Sequence, residues 1–152
     1  MTGDPERYVI GLGFRGEAKR ESLDAVLGAA IAAAKAVEKA KAPAGSASPL
    51  LASARDKAES PAMQALAAAH GLPILALDEP ALAAQADNVT ARETRVTRLP
   101  AGASLCEAAA LAGAATLSPS GEAELIVARM IGADRMATAA VAIAKTTQKD
   151  VP

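Results

Sequence analysis

The sequence predicts an α/β fold: three layers, α/β/α, around a mixed, mainly parallel sheet with a C-terminal hairpin. Three observations carry that expectation. The chain opens on an apolar run that feeds into glycines, Tyr8-Val9-Ile10-Gly11-Leu12-Gly13-Phe14-Arg15-Gly16, and a long helix-like segment follows. Short apolar runs then alternate with helical patterns, as in strands joined by crossover helices, which implies a parallel sheet covered on both faces. The last apolar stretch is split by Gly132-Ala133-Asp134-Arg135, which favours a hairpin and adds antiparallel strands.

In chain order, residues 7–12 read as a buried strand. Residues 18–41 read as a helix, because Leu23, Val26, Leu27, Ile31, Ala34 and Val37 recur at steps of three and four. Pro43 and Gly45 end it. Leu50–Ala54 is a second strand, and Arg55-Asp56-Lys57-Ala58-Glu59 a polar turn. Ser60-Pro61 opens a helix, with Ser as cap and Pro in the first turn, that runs to His70 and stops at Gly71. Leu72–Leu77 is a third strand, placed at an edge or entry by Pro73, and Asp78 caps a short helix containing Leu82.

Residues 85–101 read as a long loop carrying Arg92, Arg95 and Arg98. Ser104-Leu105-Cys106-Glu107 has the form of a capping box that opens an Ala-rich helix ending near Gly113. Ala115–Leu117 reads as a strand and Ser118–Gly121 as a turn. The hairpin takes the segment from Leu125 to Ile143, and residues 146–152 form a frayed tail. The whole chain, 1–152, reads as one domain.

Composition excludes several functions. The formal charge is −1, which argues against a broad phosphate-binding surface. Tyr8 and Phe14 are the only aromatics, so little is available to stack on bases, and nucleic acid is not an expected partner. Cys106 is the only cysteine and His70 the only histidine, too few for an intrachain disulfide or a His/Cys metal site. Asp4, Pro5, Glu6 and Arg7 stand where a signal peptide would be apolar, and no uncharged apolar run reaches membrane-spanning length. The expectation is a cytoplasmic protein with neither metal nor cofactor.

Gly11, Gly13 and Gly16 satisfy the G-x-G-x-x-G spacing of a dinucleotide-binding turn. That form also needs an acidic residue at the end of the second strand to hold a ribose. Glu38 lies at the right distance, but inside a helical stretch, and Leu50–Ala54 is followed by Arg55. The glycines therefore read either as an anion-binding turn or as points of close packing. Lys57 and Glu59 follow the second strand at the carboxyl edge of a parallel sheet, where ligands usually bind. Glu107 is a candidate carboxylate for acid–base work, set against its capping role. His70 reads as a cation at a helix C-terminus and Cys106 as core.

Five segments together resemble one family. Gly11-Leu12-Gly13-Phe14-Arg15-Gly16 before a helix resembles its opening glycine-cysteine-arginine turn. Leu51-Ala52-Ser53 with Lys57-Ala58-Glu59-Ser60-Pro61 resembles its strand and lysine-x-glutamate turn. Leu72-Pro73-Ile74 through Leu82, Gly102–Leu111, and Thr138–Ala144 are similar to its third strand, its most specific motif and its closing strand. These are features of the CobE family of cobalamin-biosynthesis proteins, which is related to the carboxy-terminal domain of CbiG.

The resemblance implies a role in making the corrin ring of vitamin B12. CbiG-type proteins of the anaerobic pathway open a lactone on a cobalt-precorrin and release acetaldehyde, and they carry further amino-terminal sequence. A chain starting at Met1 looks like the free-standing CobE form of the aerobic pathway, for which no reaction is implied. Phe14 stands where many relatives carry Cys, which removes a thiol from the site.

The favoured expectation is a protein that binds a precorrin or corrinoid intermediate, with other cobalamin-biosynthesis enzymes as further partners. Its expected ligand-binding residues are Gly13, Phe14, Arg15, Gly16, Lys57, Glu59, Ser104 and Thr138. The alternative is a hydrolase or lyase acting on a precorrin lactone side chain, with Glu59 or Glu107 as acid or base. A third is a nucleotide-binding module.

Overall fold

A computed structural model of the chain describes residues 8–14, 19–41, 49–85, 88, 105–117, 121–133 and 135–144. The elements are β1 (Tyr8–Phe14), α1 (Arg20–Lys41), β2 (Leu50–Ala54), α2 (Arg55–Ala58), α3 (Pro61–His70), β3 (Ile74–Leu77), α4 (Glu79–Ala83), α5 (Leu105–Leu117), β4 (Ala123–Ile131) and β5 (Ala137–Ala144). The described strands form one sheet in the order β3-β2-β1-β5-β4. β1, β2 and β3 are parallel neighbours, and β5 runs antiparallel to both β1 and β4. β4 thus points the same way as β1, and only β5 runs against the rest. The expected mixed, mainly parallel sheet with a C-terminal hairpin is present.

Alternation along β1 divides the core in two, as the period of two in a strand requires. Tyr8, Ile10 and Leu12 face one side with Leu51, Val141 and Ile143, and are covered by Leu23, Val26 and Leu27 of α1 and Met63 and Leu66 of α3. Val9 faces the other side with Ala52, Ala140 and Ala142, under α5. Residues Cys106 to Ala114 of α5 are all buried, as expected of a helix that, Glu107 apart, is apolar around its whole circumference.

Small residues let α5 lie close on the sheet. A Cβ at Gly11 would run into the Cys106 carbonyl and the Ala110 amide. A Cβ at Gly113 would stand 2.9 Å from Val9 Cγ1 and 3.3 Å from Ala52 Cβ. Gly113 is therefore a packing residue inside the helix, and the helix does not end there. Ala115–Leu117, expected as a strand, completes α5, with Thr116 Oγ1 donating to the Ala112 carbonyl at 2.9 Å.

Two further expectations need correction. The polar turn after β2 winds into the single-turn helix α2, so Lys57 is helical and Glu59 is the residue that ends it. β1 continues through Phe14, which puts Gly13 and Phe14 in the strand and not in a turn. Their pairing with Thr138 and Ala137 of β5 holds them there. Other elements form as read. Ser60 Oγ accepts from the Met63 amide, Gly71 closes α3 at φ 65°, and β3 is an edge strand. Asp78 stands at the N-cap position of α4, but its side chain makes no capping bond there. Most of the expected loop 85–101 and the tail 146–152 lie outside the described residues.

Candidate functional site

The sheet order places a break beside β1. The chain leaves β1 toward β2 and β3 with α1 and α3 on one face, then crosses on α5 over the other face to β4 at the far edge. In open α/β sheets ligands bind at the carboxyl ends of strands where the winding changes direction. Here that point is the end of β1, at Gly13 and Phe14, with the start of β5 beside it.

Three elements meet there. Thr138 Oγ1 donates to the Gly13 carbonyl at 3.3 Å. A Cβ at Gly13 would lie 3.8 Å from the Cys106 amide nitrogen, so the first turn of α5 opens directly onto this glycine. A helix N-terminus carries partial positive charge, which favours an anion. From the β2 side, α2 brings the Lys57 ammonium to 5.1 Å from the centre of the half-buried Phe14 ring, a cation–π contact. One residue back, the enclosed Ser53 hydroxyl donates to the Leu12 carbonyl at 2.7 Å and ties β2 to β1.

The other side of α2 has the opposite electrostatic character. Arg55 Nε donates to Asp78 Oδ1 at 2.8 Å. That hydrogen bond, reinforced by the Asp78 charge, raises the guanidinium pKa above its ordinary value. The pair borders an open groove of about 340 Å³ lined by Arg55, Asp56, Glu59, Leu77, Asp78 and Glu79. Four carboxylates against one guanidinium would repel a polycarboxylate.

Glu107 is fully enclosed, and its carboxylate accepts from the Arg129 backbone amide at 2.8 Å. The register of β4 against β5 shifts between Val127 and Met130, which pair with Val141 and Ala139. The extra residue on β4 makes a bulge, where ladder pairing is interrupted. Glu107 reaches across from α5 and bonds the amide at that interruption.

Of the residues expected from sequence, the structure places two pairs at the carboxyl end of β1: Gly13 with Thr138 on the α5 face, and Phe14 with Lys57 on the opposite face. Glu59 lines the acidic groove and Glu107 lies under β4. Arg15, Gly16, Ser104, Arg92, Arg95 and Arg98 lie outside the described residues, as does any capping bond between Ser104 and Glu107. His70 Nε2 is 2.7 Å from Asp24 Oδ1, joining the end of α3 to α1. Sequence reasoning missed the Arg55–Asp78 pair, since no spacing rule links two strand ends, and it missed the backbone of Arg135, whose φ is 63°. The position of Arg135 in the hairpin interruption was the available signal. Among the described residues, no group of three or more His, Cys, Asp or Glu could hold a metal ion, and no helix is long and apolar enough to cross a membrane.

A family model described as "Cobalamin synthesis G C-terminus" matches residues 8–144. Among solved structures, the chain is similar to CobE, a protein from the cobalamin (vitamin B12) biosynthetic pathway. The identity is 24%, 97% of each chain is covered, and the TM-score is 0.72. It is also similar to the cobalamin biosynthesis protein chiG from Agrobacterium tumefaciens str. C58, at 28% identity and a TM-score of 0.56, over 93% of this chain and 99% of that one. No curated protein matches.

Proposed function

The chain belongs to the cobalamin synthesis G C-terminus family, and from that premise we propose that it binds a precorrin or corrinoid intermediate at the carboxyl end of β1. It is a protein of the cobalamin biosynthetic pathway. The observation that carries the binding reading is that the carboxyl end of β1 presents Lys57 and the Phe14 ring on one face of the sheet and Gly13 beside the N-terminus of α5 on the other. Precorrins are large, flat and rich in carboxylates. An ammonium and the positive end of a helix suit the carboxylates through charge-assisted hydrogen bonds. The aromatic face suits the macrocycle, and the absence of a Cβ at Gly13 leaves room beside the first turn of α5. The acidic groove on the far side of α2 favours docking on the β1 side over the β3 side. Arg15, Gly16 and Ser104 adjoin these elements in sequence and belong to the same proposal.

The hydrolase or lyase alternative requires a carboxylate within hydrogen-bond reach of the reacting proton, directly or through one water. Glu107 is enclosed and engaged with Arg129, and Glu59 lines the groove away from Phe14. Both placements support binding over catalysis.

The test is titration with hydrogenobyrinic acid, followed by absorbance and calorimetry. A spectral shift with saturable heat is expected. No shift and no heat would overturn the proposal, and a rise in melting temperature with NAD(H), NADP(H) or ATP would favour the nucleotide-binding alternative.

A further inference from the structure

The turn between β4 and β5 holds an arginine in a conformation that glycine normally takes. Arg135 has φ 63°, and every other described residue with positive φ is a glycine, Gly71 or Gly121. In the left-handed region a Cβ crowds the following carbonyl, so an L-residue other than Asn or Asp is seldom found there. The turn closes through backbone bonds, Arg135 N to Gly132 O at 2.9 Å and Gly132 N to Ala137 O at 2.9 Å. Glycine at position 135 would make them equally well. The side chain is exposed, and among the described residues none is bonded to its guanidinium. Local packing therefore does not account for an arginine at this position.

Its place in the fold does. β4 runs in the direction of β1, so the β4–β5 turn lies at the carboxyl edge, where β1 ends. Ala137 pairs with Phe14, and Arg135 is two residues away, at most about 7 Å of chain. Lys57 approaches Phe14 from the β2 side, while Arg135 stands on the β5 side. Residues held in disfavoured backbone conformations cluster at ligand clamps and active sites.

We propose that Arg135 is a ligand-binding residue that grips a side-chain carboxylate of the corrinoid, opposite Lys57 across Phe14. A guanidinium forks onto a carboxylate with two parallel hydrogen bonds, and the fixed turn aims it. The inference rests on the reading that this edge takes a polycarboxylate macrocycle.

The experiment compares the unaltered chain with Arg135→Gly, Arg135→Asn and Arg135→Lys, titrated with hydrogenobyrinic acid and with its methyl ester. Gly and Asn tolerate the turn, so their melting temperatures equal or exceed that of the unaltered chain. Both bind the free acid about tenfold more weakly, Lys is intermediate, and ester affinity is the same in all four. If the unaltered chain binds the acid and the variants bind it equally well, Arg135 has no such role although the site stands. An equal loss for acid and ester also overturns the carboxylate contact. If the unaltered chain binds neither compound, the corrinoid reading itself falls, and this inference with it.

Discussion

The Lys57 ammonium stands 5.1 Å from the centre of the Phe14 ring, so the helix after β2 reaches over the last residue of β1. The contact holds a charge and an apolar face side by side at the point where the sheet changes its direction of winding. Lys57→Ala is expected to weaken hydrogenobyrinic acid binding about ten- to a hundredfold, in line with the ~1.5–3 kcal/mol of a hydrogen bond to a charged group. Phe14→Leu keeps the charge but loses the ring, and is expected to cost less. Calorimetry at two salt concentrations separates the contributions. Added salt should weaken binding by the unaltered chain more than by Lys57→Ala, because part of the screened attraction is already gone.

Glu107 is expected to matter for stability. Removing its carboxylate leaves the Arg129 amide without this partner at the β4 bulge. Losing a hydrogen bond to a charged group costs about 1.5–3 kcal/mol, and the emptied volume adds to that. Glu107→Ala should therefore lower the denaturation midpoint clearly. Glu107→Gln keeps a carbonyl acceptor and should lose less. If both variants melted like the unaltered chain, the bond to β4 would be energetically idle.

These two residues show what was legible beforehand. Lys57 could be placed at the carboxyl edge of β2 because strand–helix alternation fixes which loops share an edge. Its contact with Phe14 was not legible, because Arg55–Ala58 reads as a polar turn until the chain winds it into a helix. Glu107 reads as a capping residue for Ser104, and a local pattern carries no signal of an amide 22 residues away. Gly11 and Gly13 fitted a nucleotide turn by spacing, yet both lie in β1. Spacing records where a Cβ is missing, and only tertiary packing says whether a phosphate or a helix takes that room. Ala115–Leu117 failed for a related reason, since Gly113 resembles a helix end unless α5 is known to press on Val9 and Ala52.

The packing role of Gly11 predicts a sharp contrast with Gly28. A Cβ at Gly11 meets backbone atoms of α5, which cannot rotate away, whereas nothing lies within 4 Å of one at exposed Gly28. Gly11→Ala should destabilise by about 3 kcal/mol or abolish folding, at the upper end of overpacking costs. Gly28→Ala in the interior of α1 should stabilise by about 0.5–1 kcal/mol, which is roughly 1–4 °C in Tm for a chain of this length. Thermal and denaturant unfolding of the pair checks both signs.

Gly13→Ala separates folding from binding on the same strand. Its Cβ would meet Thr138 Oγ1 at 3.0 Å and then nothing closer than 3.8 Å. The nearest atom is the end of a side chain, and its hydrogen bond to Gly13 is a long 3.3 Å. A few tenths of an ångström of movement relieves the contact, so Tm should fall by only a few degrees, well short of the loss at Gly11. The new methyl nevertheless stands between the edge of β1 and the α5 amides that an anion would approach. Gly13→Ala should therefore bind hydrogenobyrinic acid several-fold more weakly while remaining folded. Unchanged affinity in the folded variant would exclude the α5 N-terminus from the site and leave Lys57 and Arg135 as its anion contacts.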